Sequence, residues 1–410
     1  MRERARNGGA ATAPWNRSRG SKKEKTDESY DTGNRLPDIT EQMPARGPID
    51  LPFLMLAMLL LAIGLIVMFS ASSASSYYES GNAAYYFTRQ GIMAVAGVII
   101  MFGVSLLNYQ SFRGLSKLIL VIAFLLMLAV LVPGIGMKIN GARRWINLGL
   151  FSFEPSEILK IAIILFFAAR LSKMKEKARK IKYLIPFILI LVVAAGLLYM
   201  QPHMSATILI LCVAAAILFA AGMNLRWFIG AVLVAVTGLY FVIHNTSYMS
   251  SRVQLWRDPW SDPLNKGFQI IQSLYAIGSG GLLGLGFGQS RQKFLYLPEE
   301  HNDFVFSIAC EELGYIGACI ILVLFALLII RGFWLALHAR DRFGALVIIG
   351  ITTQFAVQVF LNISVVTNLL PTTGISLPFF SYGGTALIIQ LAEIGIVLSI
   401  SRQIPAPRAD

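Results

Sequence analysis

Residues 51–71, LPFLMLAMLLLAIGLIVMFSA, decide the class of this chain. The run is 21 residues long and carries no charge. As a helix it covers about 30 Å, the thickness of a bilayer's hydrocarbon core. The segment before it, residues 1–50, is too long and too polar for a cleaved secretory signal, so the run reads as a first membrane span. Nine similar runs follow, near 86–106, 115–133, 156–171, 184–200, 204–221, 228–243, 305–330, 344–363 and 384–401. The runs around 184–221 are parted only by a Gln201-Pro202-His203 corner, which fits a helical hairpin. Composition agrees: 56% hydrophobic and 14% charged, with a mean hydropathy of +0.65. Soluble domains average ~45–50% apolar and ~25% charged, so a soluble enzyme and a disordered chain are both excluded. The expected fold is an all-α polytopic membrane protein with ten transmembrane helices. An even number places both termini on one side.

The net charge of +13 would suggest nucleic acid in a soluble chain. Sorted by position it reports topology instead. With the N-terminus inside, inner segments hold 25 of the 35 Lys and Arg, and outer loops hold nine. The short loop 170–182, RLSKMKEKARKIK, is strongly cytoplasmic by the positive-inside rule. Both termini are therefore expected in the cytoplasm, with one large extracellular loop, 244–304, between helices 7 and 8. Residues 1–50 combine ten basic and eight acidic residues with almost no aliphatic ones, the composition of a disordered tail. The domain reading is a tail over 1–50, a membrane domain over 51–403 and a short cytoplasmic tail over 404–410. Cys212, Cys310 and Cys319 show no pairing or metal-ligand spacing and read as small core hydrophobes.

Chemistry is expected at the outer face, where acidic and basic residues mix. The large loop holds six glycines within 278–288, which permits a tight or re-entrant backbone, and it lacks the lysine of a nucleotide-binding P-loop. Its residues 268–278 are apolar enough for an interfacial helix. It ends in KFLYLPEEHND, residues 293–303, with three carboxylates and a histidine at the lip of span 8. Asp303 is closest to the helix start; it reads as a desolvated base, as an N-cap, or as both. Glu157 and Lys160 share one face of span 4, either in a functional site or as a structural salt bridge. Arg143, Arg144 and Trp145 suit a phosphate or a lipid headgroup. Gln354, Gln358 and Asn362 recur at i, i+4 and i+8, a stripe that faces the bundle interior as inter-helix glue or as a cavity lining. Glu393 and Gln390 share a face of span 10 without a specific role. In residues 370–385, LPTTGISLPFFSYGGT, Ser381 is a candidate N-cap of span 10. The amides of Tyr382, Gly383 and Gly384 are then a candidate anion site.

The blocks GARRW (141–145), EPSEILK (154–160), Gln201-Pro202, QIIQS (269–273), AIGSGG (276–281), YLPE (296–299), Asp303-Phe304, EELG (311–314) and 371–384 occur in this order. Together they resemble the SEDS family (shape, elongation, division and sporulation) of bacterial cell-wall polymerases. The resemblance covers residues 51–403. The stretch GQSRQKFLYLPE (288–299) is closer to the division and sporulation branch than to the rod-shape branch. Two positions depart from the family pattern: His203 stands where an Asp is usual, and Asn302 where a Thr is usual.

The resemblance implies a peptidoglycan glycosyltransferase that polymerises lipid II at the outer face of the bacterial cytoplasmic membrane, at the septum. It implies Asp303 as the catalytic residue. Arg144, Glu157, Lys160, Lys293, Glu299, Ser381, Tyr382 and Gly383 are the expected substrate-binding residues. It implies a class B penicillin-binding protein and divisome proteins as partners, and no nucleic acid. A divalent cation, Mg or Mn, is compatible with it, although no ligand motif demands a metal. The rival readings are a lipid II flippase and a membrane scaffold for a transpeptidase.

Overall fold

A computed structural model of the chain describes residues 47–404, apart from 140, 141, 148, 150, 151, 246 and 266. The expected tails therefore lie outside the described residues over 1–46 and 405–410, as do Gly141 and Lys266. Twelve helices and one small sheet follow in order: α1 (Leu51–Ser80), α2 (Tyr85–Leu106), α3 (Tyr109–Ala129), β1 (Gly136–Ile139), β2 (Ala142–Asn147), β3 (Ser152–Phe153) and α4 (Pro155–Met174). Then come α5 (Ile181–Met200), α6 (Met204–Ala220), α7 (Leu225–Asn245), α8 (Ser247–Arg257), α9 (Phe268–Ser279), α10 (Val305–Leu337), α11 (Arg342–Val366) and α12 (Gly384–Ser401).

Each of the ten apolar runs lies on a helix, and α8 and α9 are built from the long loop. Among the described residues seven helices are long and apolar enough to cross a membrane: α1, α2, α3, α5, α10, α11 and α12. The chain is a multi-pass membrane protein. Among the remaining three, α6 has only 17 residues, and α4 carries Glu157, Lys160, Arg170 and Lys173. Exposed apolar residues recur at helical spacing on the bundle's outside, as with Leu118, Ile122 and Leu125 on α3 and Ile185, Leu189 and Val192 on α5. A surface this apolar suits lipid and not water.

Local signals set the helix ends. Asp50 caps α1 by accepting from the Phe53 amide at 2.9 Å, and Gly81 ends it in a left-handed conformation. Asp341 caps α11 through the Gly344 amide at 3.1 Å. At one end of the bundle the Gly47 amide donates to the Arg402 carbonyl at 2.8 Å, and the Asp50 amide to Ser401 Oγ at 3.1 Å. The first and last described residues therefore meet. Arg331 joins them through both carboxylate oxygens of Asp50, at 3.1 and 2.5 Å.

The glycine-rich stretch has a structural use. The run of α10 is broken at Gly314, with φ 68° and ψ −172°. The break frees backbone groups that hydrocarbon cannot satisfy. Residues 280–286 supply the partners. The amides of Leu285 and Gly286 donate to the carbonyls of Glu311 and Glu312, and those of Tyr315 and Ile316 to the carbonyls of Gly281 and Leu282, all within 2.9–3.2 Å. A Cβ at Gly284 would stand 2.1 Å from the Glu312 oxygen, so only glycine allows this approach. The tight backbone that the glycines permit is thus turned onto the protein's own chain. Likewise α9 packs on α10 and α11: Ser273 Oγ lies 2.8 Å from Ser307 Oγ and donates to the Val366 carbonyl at 2.7 Å.

Candidate active site

The site lies at the bundle end opposite Arg331, where the long loop folds back. The turn 299–304 carries Asp303 and is held from several sides. Ser75 of α1 donates to Glu300, and Tyr86 of α2 stacks on His301 with ring centres 4.7 Å apart. Ser381 Oγ donates to the Asn302 carbonyl at 2.7 Å, and the Tyr382 amide to the His301 carbonyl at 2.8 Å. Asn362 Nδ2 donates to the carbonyl of Asp303 itself at 2.8 Å.

Asp303 does not cap α10; the cap position is Phe304, with no side-chain bond. Its half-buried carboxyl is pushed up to about 6, chiefly by desolvation and then by the negative charge of Glu299. Arg252 and Arg144 oppose that shift, and Glu154 adds to it. The tertiary structure therefore gathers Asp303, Glu299, Glu154, Arg144 and Arg252 within electrostatic reach.

Arg144 is aimed by the three-stranded antiparallel sheet β1-β2-β3. Successive residues of a strand point to opposite faces. Arg143 donates to the Leu131 carbonyl at 3.3 Å. Arg144 donates the other way, to the carbonyls of Gln201 (3.2 Å) and Pro202 at the α5–α6 corner. His203 of that corner sits 3.2 Å from Glu154. Burial, with Arg144 and Lys160 adding to it, lowers His203 to about 3, while burial raises Glu154. His203 is thus neutral at physiological pH. Deeper on α4, Lys160 Nζ lies 2.7 Å from Glu157, both buried. Beyond that pair, Gln354 Nε2 donates to both oxygens of the buried Glu393, at 3.0 and 2.8 Å.

Several expected site residues are placed otherwise. Lys293 is buried and spent within the fold: Nζ contacts Glu312 (3.1 Å), Ser70 Oγ (3.2 Å) and the Gly288 carbonyl (2.7 Å). Ser381 is not the N-cap of α12; Gly383 occupies that position without a side-chain cap. Ser381 instead accepts the Leu377 amide at 2.8 Å while donating to Asn302. The amides of Tyr382 and Gly383 are likewise taken, by the His301 carbonyl and by the buried Gln90 Oε1 at 3.2 Å. Of the three amides expected at the anion site, those of Tyr382 and Gly383 are therefore engaged within the fold. A polar residue among apolar neighbours was the signal for Gln90, whereas nothing local marked Arg252, which meets the site through the Thr372 carbonyl. Among the described residues no three His, Cys, Asp or Glu side chains converge to hold a metal ion, so no step is routed through one.

Residues 50–405 match the family model described as cell cycle protein, covering FtsW, RodA and SpoVE. The chain belongs to that family. It is 42% identical to stage V sporulation protein E of Bacillus subtilis over 354 residues, 86% of this chain and 97% of that one. It is 40% identical to the "Probable peptidoglycan glycosyltransferase FtsW" of Geobacter metallireducens, over 86% of this chain and 94% of the relative. Among solved structures, a chain from work on polymerization and crosslinking by a peptidoglycan synthase complex matches with a TM-score of 0.72 at 31% identity. That match covers 88% of this chain and 99% of the other. The rod shape determining protein RodA of Thermus thermophilus matches with a TM-score of 0.65 at 29% identity, covering 88% and 98%. The FtsW/RodA/SpoVE fold thus accounts for nearly all of the described residues.

Proposed function

We propose that this chain is a peptidoglycan glycosyltransferase that polymerises lipid II at the outer face of the cytoplasmic membrane. The observation that carries the reading is Asp303: a half-buried carboxyl raised to about 6, with two arginines facing it, in a family whose relatives are named for this activity. The topology that goes with it has ten spans, cytoplasmic termini and the Asp303 end outward. A class B penicillin-binding protein supplies cross-linking, divisome proteins complete the assembly, and the septum is the site of action.

In the reaction, the sugar 4-hydroxyl of one lipid II molecule attacks the anomeric carbon of the growing strand. Asp303 takes the hydroxyl proton as the new C–O bond forms. The bond to the diphosphate breaks with inversion, and undecaprenyl diphosphate leaves with the electron pair. Arg144 and Arg252 face the charge that develops on the diphosphate. Glu299 sets the basicity of Asp303. The Glu157–Lys160 pair supports the floor of the site beneath Glu154, and Lys293 is not assigned to substrate.

Purified protein given lipid II in detergent is expected to produce glycan strands. Flipping has no meaning without a bilayer, so absence of strands combined with lipid scrambling in vesicles would replace this reading with the transporter that the buried Glu157, Lys160 and Glu393 also suit. If variants at Asp303 leave cells healthy, the protein is a scaffold.

The pH profile gives a second test. A general base works when ionised, so kcat/KM, which reports the free enzyme, should rise with pH through about 6. Glu299→Gln removes a negative charge that holds the proton on Asp303, so the acid limb is expected to move to lower pH. A limb that stays in place or moves upward would contradict the assignment of Glu299.

A further inference from the structure

We propose that Asn362 of α11 is a positioning residue for Asp303, and that Gly374 is the clearance its carboxylate requires. The inference rests on the reading of Asp303 as the base. Asn362 is 1% exposed. Its Nδ2 spends both hydrogens on backbone carbonyls, that of Asp303 at 2.8 Å and that of Ile375 at 2.7 Å. An amide offers two donors on one nitrogen. Reversing it would set Oδ1 against two carbonyl oxygens, so the orientation is fixed. One side chain on a rigid helix therefore clamps the Asp303 turn to the segment before α12.

That segment is itself pinned at neighbouring carbonyls by separate helices. Arg252 of α8 donates to the Thr372 carbonyl, Ser205 of α6 to the Thr373 carbonyl, and Asn362 of α11 to the Ile375 carbonyl. Between them sits Gly374, at φ +74°. A Cβ there would lie 3.3 Å from Asp303 Oδ2, and among the described residues nothing else beyond its two chain neighbours comes within 4 Å of it. The carboxylate thus leans on bare glycine backbone whose position three helices define. The arrangement fixes where Oδ2 stands relative to Glu299, Arg252 and Arg144, the charges that tune it.

The test compares wild type, N362D, N362S and G374A, with D303N as reference, polymerising lipid II in detergent across pH. N362D is isosteric but turns an acceptor toward two carbonyls. A misplacement of about 1 Å at a reacting group costs on the order of 10²-fold, so kcat of N362D should fall by about that factor, with KM near wild type and the acid limb displaced. N362S keeps one donor and should recover part of the rate. If N362D does not accumulate folded, N362S decides, because G374A would add the strain of an alanine at φ +74° to any contact with Asp303. Unchanged kcat and pH profile in the folded variants, or losses confined to KM or to melting temperature, would overturn the inference. D303N at the wild-type rate would instead overturn the base reading on which it rests.

Discussion

Asp303→Asn is expected to lower the rate of lipid II polymerisation by ~10²–10⁴-fold, the range that a positioned general base supplies. The substitution is isosteric and leaves the backbone contact intact, because Asn362 binds the carbonyl of residue 303 and not its side chain. Melting temperature and lipid II affinity should therefore stay near wild type. The residual activity should also lose its dependence on pH near 6, since the group pushed there by burial and Glu299 is gone. Steady-state kinetics across pH on purified protein checks both statements. A residual rate that still rises through pH 6 would place the base elsewhere.

The second large effect concerns stability. Lys293 and Glu312 form an ion pair 3.1 Å apart, each almost fully buried. Glu312 also accepts from Ser70 Oγ at 2.7 Å and from the Ser290 amide at 3.3 Å. Its neighbour Glu311 accepts from Ser290 Oγ at 2.5 Å, the Arg291 amide at 3.0 Å and the Gln292 amide at 3.3 Å. The two carboxylates thus staple the stretch 290–293 to α10 just before its break. Removing one partner of a buried pair strands the other charge and costs about 3–5 kcal/mol. Glu312→Leu should therefore lower the thermal midpoint in detergent sharply. Lys293→Met should cost a similar amount, because either change leaves a buried charge with two neutral partners: Ser70 and the Ser290 amide for Glu312, Ser70 and the Gly288 carbonyl for Lys293. The double variant should recover most of the loss, as no charge is left unpaired. If Lys293→Met instead abolished turnover at unchanged stability, Lys293 would return to the substrate.

The membrane class was legible from one run of 21 residues, because hydrocarbon tolerates only apolar, internally bonded backbone. Each of the ten apolar runs that the same rule picks out lies on a helix, and among the described residues seven of those helices are long and apolar enough to cross a membrane. Asp303 stood out at the helix lip as a base, a cap or both, and the structure puts Phe304 in the cap position. The stripe of Gln354, Gln358 and Asn362 was read as facing inward, and all three side chains are buried. What failed were inferences from local geometry alone. Ser381 before two glycines looks like a cap, yet its hydroxyl bridges Leu377 and Asn302. Lys293 looks like an exposed loop cation, yet it meets Glu312 and Ser70, the latter on α1.

Hydropathy and spacing act within one segment, so the sequence by itself determined the solvent of this protein and its helical makeup, and it offered Asp303 as a candidate acid. The charges around that acid come from its own turn and from α8, β2 and Glu154 before α4, the last three remote in the chain. Which of them meet Asp303, and which are spent inside the fold, depends on long-range closure. Only the tertiary structure decided that, because a charge tunes a carboxyl by distance through space, and separation along the chain does not report that distance.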